Sequence, residues 1–291
     1  MPEQQGDTMA TRYDPEATFE IRTWDVEFRR TPARQLMARI YQPQGIGPFP
    51  VVLDLHGGAW NNKDRFANVP MDEALAASGL LVVAIDLTLA GEAPYPASVQ
   101  DAHYGVRWLK ANCAQWKGDP ATVGLLGSSS GGHLAQLVAM RPDDPRYAAL
   151  PLDGHPEIDA SVRYVATRSP ISDPYARHLN AERRGVADMV RRSSTYWNPP
   201  ESIHEGNPQA ILDRGEPVTL VPMLVMQGGD DDNVLPEIQV KFAESYRKAG
   251  GDCTCEVFEG CGHIWVADPG PQTDRAHAMV KAFIARALAG A

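Results

Sequence analysis

Residues 122–132 read TVGLLGSSSGG and lead straight into HLAQLVAM. An apolar strand-like run, then Gly127-Ser128-Ser129-Ser130-Gly131, then a helical pattern, is the G-x-S-x-G arrangement in the strand–turn–helix setting that presents a nucleophilic serine. So sharp a turn leaves no room for side chains flanking its centre, and Gly127 and Gly131 allow the close approach. Ser129 alone has a glycine two positions away on both sides. It is therefore the expected nucleophile, in a strained backbone that lifts its hydroxyl above the sheet. The following helix aims N–H groups at the same place, where an attacked acyl carbonyl develops negative charge. Ser130 is expected to lend its backbone N–H there. A second stretch supplies further donors: residues 49–60 read FPVVLDLHGGAW, an apolar strand opening into His56-Gly57-Gly58-Ala59-Trp60. An HGG-type loop is the partner of such an elbow, and the N–H groups of Gly58, Ala59 and Ser130 are the expected oxyanion donors. His56, at a strand end beside a glycine pair, reads as a brace for that loop rather than as a base.

The stretches HGGAW, GSSSGGHLA and APYPASVQDAHYGVRWL (residues 93–109) together resemble the α/β-hydrolase superfamily. They are most similar to its hormone-sensitive-lipase-like esterases and their acetyl-esterase and arylformamidase relatives. The likeness covers most of residues 49–289 and is weakest in 171–217. Ala59 departs from the third glycine of many lipolytic members, and Trp60 echoes the HGGxW loop of kynurenine formamidases. Asp86 stands in AIDLTLAGEAPYP, where related esterases carry a Tyr-Arg-Leu-Ala-Pro-Glu stretch.

An elbow of this kind implies the chain order nucleophile, acid, base. Residues 223–236 read MLVMQGGDDDNVLP, so a strand delivers Asp230, Asp231 and Asp232 together, and spacing alone leaves all three open. The resemblance implies a QGxxDxNV pattern in which Asp231 fills the acid position, with Asp230 and Asp232 as capping or solvated carboxylates. His263, in FEGCGHIW, falls after the acid, at a strand end and before the last helix, and matches the family's G-x-G-H element. His277 lies within that helix and reads as surface or packing. Ser129, His263 and Asp231 would then cleave an acyl bond through a covalent acyl-enzyme, with no metal or organic cofactor. A small carboxylic ester is the expected substrate. The alternative is an amidase or arylformamidase using the same triad, and a remote one is a non-catalytic receptor or interaction protein on the same fold.

These residues need a frame. Residues 49–55 and 80–87 are nearly continuous apolar runs, the signature of strands covered on both faces. Residues 122–126, 223–226 and 255–258 repeat the pattern, and 19–29 with 35–41 alternate like an antiparallel pair. Helical patterns over 71–77, 98–116, 236–249 and 272–289 lie between and after them. Alternating β and α segments after an antiparallel hairpin predict a mostly parallel sheet flanked by helices, and the resemblance implies that this sheet is that of an α/β-hydrolase fold. Residues 1–18 read as a loose leader and 19–291 as a single domain. Residues 171–217, rich in Arg and Pro, read as a helical lid insertion over the carboxyl ends of the strands.

Other features receive plainer readings. Trp60, Tyr196, Trp197 and Trp265 are candidates to line an acyl or aryl pocket, or equally to be core. Arg168, Arg177, Arg183, Arg184, Arg191 and Arg192 read as a solvated helix face in preference to a greeting for an acidic substrate. The 291 residues carry 27 Lys plus Arg against 37 Asp plus Glu, a formal net charge of −10. With no basic block, nucleic-acid binding is not expected, nor does any stretch approach the roughly 18 apolar residues of a membrane span. Residues 1–20 hold no apolar segment before a cleavage site, so no secretory signal is expected. Cys113, Cys253, Cys255 and Cys261 lack zinc spacing and read as free thiols of a cytoplasmic protein. The expected partners are a small ester or amide and, for assembly, a second copy in a homodimer.

Overall fold

The structure is a computed structural model and describes residues 13–290. Eight strands form one sheet: β1 (Ile21–Arg30), β2 (Gln35–Pro43), β3 (Val51–Leu55), β4 (Leu81–Ile85), β5 (Gly124–Ser128), β6 (Val165–Arg168), β7 (Met223–Gly228) and β8 (Cys253–Phe258). Their spatial order is β1-β2-β4-β3-β5-β6-β7-β8. β1, β2 and β4 pair antiparallel, and every later pair is parallel. This is the mostly parallel sheet with an antiparallel hairpin that the alternation of apolar runs and helical patterns predicts, in the α/β-hydrolase architecture that the resemblance implies.

β3, β4, β5 and β7 are buried at every residue, which is why their sequences are continuously apolar. Successive side chains still choose opposite faces. Val51, Leu53 and Leu55 pack with α2 (Ala97–Asn112), α3 (Ser130–Met140) and α8 (Pro236–Lys248). Val52 packs instead with α1 (Val69–Ala77) and α9 (Pro271–Ala289). On α9, Ala276, Val280, Phe283 and Ile284 are buried, a helical spacing that turns one stripe to the sheet. Each fully buried Val, Leu or Ile contributes about 1.5–3 kcal/mol.

Two expectations need correction. β6 has no counterpart in the sequence reading: Val165-Ala166-Thr167-Arg168 is four residues long and ends in a cation, too short a signal until β5 and β7 flank it. The leader is not loose throughout. Residues 1–12 lie outside the described residues, but Tyr13 is buried and its hydroxyl meets Ser78 Oγ at 2.7 Å. Residues 171–217 carry only helices: α4 (Pro174–Arg183), α5 (Ala187–Tyr196), α6 (Ser202–Glu205) and α7 (Pro208–Asp213). Asp173 caps α4 by accepting from Ala176 N–H, and Asn207 caps α7 by accepting from Ala210 N–H.

From β3 the chain goes to β4 on one side, then returns across β3 to β5 on the other. The carboxyl ends of β3 and β5 therefore flank a topological switch point, where open α/β sheets leave a crevice for ligands. The HGG loop follows β3 and the Ser129 turn follows β5, so both candidate motifs open onto that crevice.

Candidate active site

At the turn after β5 the backbone approaches itself too closely for side chains. A Cβ on Gly131 would stand 1.9 Å from the Leu55 carbonyl oxygen, and one on Gly127 would stand 2.6 Å from that of Gly131. Ser129 between them holds φ 51° and ψ −116°, a conformation that costs a non-glycine residue about 1–3 kcal/mol. The turn is clamped on both sides. Ser129 N–H donates to the Arg168 carbonyl at 2.9 Å, and the Ser129 carbonyl accepts from His133 and Ile171 N–H, each at 3.1 Å. The neighbouring serines are engaged elsewhere. Ser128 Oγ donates to Asn68 Oδ1 at 3.1 Å, while Ser130 Oγ accepts from Trp60 N–H at 3.1 Å and so ties the elbow to the HGG loop.

The acid and base come from loops 32 residues apart in the chain. His263 Nδ1 lies 2.7 Å from Asp231 Oδ2, and His263 Nε2 lies 3.0 Å from Ser129 Oγ. An ionised carboxylate only accepts, so Nδ1 carries the proton and Nε2 is left to accept from the serine hydroxyl. Asp231 is held on all sides: Oδ1 accepts from Asn233 N–H at 3.0 Å and Val234 N–H at 2.9 Å, and Oδ2 also accepts from Gln227 Nε2 at 3.0 Å. Burial opposes its charge, yet the His263 contact and these donors outweigh burial and hold the pKa below the usual carboxylate value. The neighbouring acids are unlike it. Asp230 is exposed, and the Asp232 side chain is 73% exposed and paired with Arg184. Of three adjacent aspartates, Asp231 alone reaches His263.

In the HGG loop, Gly58, Ala59 and Trp60 all have positive φ, at 106°, 51° and 61°. His56 Nδ1–H donates to the Gly57 carbonyl at 2.7 Å, and burial depresses the His56 pKa, so the ring braces the loop as a neutral group. Among the described residues the N–H groups of Gly58, Ala59 and Ser130 have no acceptor. Gly57, which the sequence reading passed over, stands against the elbow: a Cβ there would lie 3.2 Å from Ser129 Cβ.

The four candidate pocket aromatics are corrected. Gly57, Gly58, Ala59, Ser129 and His263 border a cleft of about 260 Å³, and Trp60, Tyr196, Trp197 and Trp265 do not. Trp60 stacks on Tyr196 with centroids 4.5 Å apart and meets Trp197 edge-on at 5.5 Å. Trp60 Nε1–H donates to His133 Nδ1 at 3.2 Å, and His133 Nε2–H donates to the Gly206 carbonyl at 2.7 Å. Burial pushes the His133 pKa down to about 4, so the ring is neutral and serves both bonds. Trp265 packs on Phe258 away from this cluster. Large rings at the junction of the HGG loop, α3 and residues 171–217 stabilise more as shared core than as a wet pocket wall.

The arginines are also corrected in part. Arg168, Arg177 and Arg192 border the cleft, as does Lys63. Arg183, Arg184 and Arg191 bond instead to Asn180, Asp232 and Asp188. Beneath the elbow lies a buried acidic pair that the sequence reading missed. Asn68 Nδ2 donates to both Asp54 oxygens, at 3.0 and 2.9 Å, and Asn68 Oδ1 accepts from Arg168 at 2.8 Å and from Ser128. Both Asp72 oxygens are buried without a partner. Burial raises the Asp54 pKa to about 7 and, with Asp54 nearby, lifts that of Asp72 well above the usual value. Asp54 sits alone in the apolar run VVLDL, a charge where none should be, whereas Asp72 stands beside Glu73 and reads in sequence as an ordinary first-turn helix acid.

A profile of the BD-FAE family matches residues 39–246. The chain is similar to the probable carboxylic ester hydrolase LipM of Mycobacterium tuberculosis, 27% identical over 69% of this chain and 46% of that protein. It is also similar to the carboxylesterase NlhH of the same organism, 29% identical over 85% of this chain and 73% of that protein. The chain spans about half the length of LipM and of the similarly matched esterase LipC. Among solved structures, a truncated carbohydrate esterase from gut microbiota superposes with a TM-score of 0.76 at 19% identity, over 96% of this chain and all of that one. A hyperthermophilic esterase of Pyrobaculum calidifontis gives 0.74 at 21% identity, over 91% and 85%. At these identities the likeness is one of fold.

Proposed function

The chain belongs to the BD-FAE family, and from that premise we propose that it is a serine carboxylesterase acting on small esters. The reading rests on one observation: Ser129, His263 and Asp231 form a continuous relay of 3.0 and 2.7 Å contacts beside the cleft. His263 Nε2 takes the hydroxyl proton as Ser129 Oγ attacks the acyl carbon. The N–H groups of Gly58, Ala59 and Ser130 hold the oxygen that becomes negative, and Asp231 stabilises the imidazolium. His263 then protonates the leaving alcohol, and a water activated by the same ring hydrolyses the acyl-enzyme. A cleft of about 260 Å³ sits at the small end of ligand sites, which favours short acyl and alcohol groups. Relatives named as carboxylesterases support the ester over the amide reading.

Burst kinetics on p-nitrophenyl acetate and butyrate, beside a matched anilide, test the proposal in wild type and Ser129→Ala. A stoichiometric burst and ester turnover, both lost in Ser129→Ala, are expected. Ester turnover that survives in Ser129→Ala would overturn the assignment, and comparable turnover of the anilide would make the enzyme an amidase. A cytoplasmic location is part of the same proposal, in keeping with four unpaired thiols. A homodimer is its assembly, to be tested by light scattering of the purified chain.

A further inference from the structure

The chain has a net charge of −10, yet its cleft is bordered by four cations, Lys63, Arg168, Arg177 and Arg192, and one acid, Asp188. Two of the cations are accounted for. Arg192 Nε donates to Asp188 at 2.7 Å, and Arg168 donates to Asn68 and faces the buried Asp54. The other two are not. Arg177 is 2% exposed, and its one side-chain hydrogen bond is Nε–H to the neutral Asn233 Oδ1 at 3.0 Å. Its two terminal nitrogens have no acceptor among the described residues. Asp231, whose charge acts on Arg177, has both oxygens occupied by His263, Gln227, Asn233 and Val234. Lys63 likewise has neither an acidic partner nor an acceptor among the described residues, and it stands close enough to Arg168 to be repelled by it.

A buried guanidinium with both terminal nitrogens unbonded carries a desolvation cost that the nearby Asp231 charge and the Trp60 face offset only in part. Such a cost is recovered when an anion arrives, and the planar fork matches the two oxygens of a carboxylate. Resting on the serine esterase reading, we propose that the substrate is an ester carrying a carboxylate, held by the Arg177 guanidinium with Lys63 as a second cation. Arg177 is well placed to orient it. Asn233 accepts from Arg177 and donates to Asp231, so the anion site and the catalytic acid share one loop. The Arg177 guanidinium lies over the Trp60 ring at 5.9 Å, a cation–π contact that favours its charged form. Burial lowers the Arg177 pKa only to about 10, so it remains charged at neutral pH.

The test is a comparison of kcat/KM by pH-stat on matched pairs. Monomethyl succinate, with the carboxylate on the acyl half, is set against methyl 4-methylpentanoate. Acetoxyacetate, with it on the alcohol half, is set against isobutyl acetate. Wild type is expected to favour one carboxylate ester over its neutral isostere by about tenfold, and the favoured pair identifies the half that meets Arg177. That ratio should fall to about one in Arg177→Gln and several-fold in Lys63→Asn, and should shrink as salt is added. Because it is a ratio within one preparation, partial misfolding does not imitate it, and Lys63→Asn carries the test if Arg177→Gln fails to fold. If Ser129 reacts with a fluorophosphonate and neutral esters turn over, but neither pair favours the anion or the preference survives both variants, the anion site is refuted and the esterase reading stands. If Ser129 is neither labelled nor active on any of the four esters, the esterase reading itself fails and this proposal with it.

Discussion

Replacing Asp231 with Asn exchanges one oxygen for nitrogen, and kcat/KM is expected to fall about 10⁴-fold, or about 5 kcal/mol of transition-state stabilisation at ~1.4 kcal/mol per decade. The reason lies in the groups already around the carboxylate. Oδ1 accepts from the backbone N–H groups of Asn233 and Val234, which cannot move away without unwinding the loop. An amide nitrogen cannot accept from them, so the oxygen of the new Asn must take the Oδ1 position and its NH₂ must face His263 and Gln227. Gln227 loses its contact there, but its Nε2 stays held by the Gly228 and Val234 carbonyls at 3.1 and 3.0 Å. His263 cannot adapt harmlessly. Its Nδ1 would accept from the amide, the proton would pass to Nε2, and Nε2 would then face Ser129 Oγ at 3.0 Å as a donor. The base would be present, correctly placed and in the wrong tautomer. The assay is kcat/KM on p-nitrophenyl acetate for Asp231→Asn, Asp230→Asn and Asp232→Asn, with a thermal melt of each to establish folding. The two neighbouring variants should stay within about threefold of wild type, since one carboxylate is exposed and the other meets Arg184. A folded Asp231→Asn within tenfold of wild type, or an equal loss in Asp232→Asn, would refute the tautomer argument.

Ser129→Gly should abolish ester turnover while melting about 2–4 °C above Ser129→Ala, because glycine accepts φ 51° and alanine keeps the strain; equal melting temperatures would mean the elbow stores none. The raised pKa values of Asp54 and Asp72 mean that the folded chain retains protons which the unfolded chain has lost above about pH 4. The contribution of Asp54 to stability therefore falls as pH rises from about 4 to 7 and levels off above that, and the contribution of Asp72 falls in the same direction as pH rises above about 4. Asp72→Asn should flatten that fall and raise the melting temperature at pH 8, and an unchanged pH profile in denaturant melts would show that Asp72 does not titrate in this way. Tyr196→Phe removes the 2.9 Å bond to Ser98 and should cost about 1 kcal/mol of stability. The acetate-to-butyrate ratio should not change, since Tyr196 lies outside the cleft; a shifted ratio would return it to the pocket.

Reading the chain in order reaches far because the chemistry is local in sequence. A buried strand, a glycine-flanked serine and a helix start must be contiguous, so residues 122–140 announce the elbow, and residues 49–60 announce its partner loop. Continuous apolar runs likewise declare strands covered on both faces, and the helical stripes declare what covers them. Where a side chain lies in space is not a local property. Three adjacent aspartates differ only in direction, and it took the turn after β7 to bury Asp231 against His263 and leave Asp230 and Asp232 outside. Strand β6 became a strand through the ladders on either side of it. Of the aromatic residues left open as pocket or core, Trp60, Tyr196 and Trp197 were decided by how residues 171–217 pack, which stacks Trp60 on Tyr196. Six arginines in or beside an insertion look alike in sequence. Only packing separated those paired on the outside from Arg177, which is buried with its charge facing the cleft, because burial depends on what the rest of the chain brings to each side of a residue.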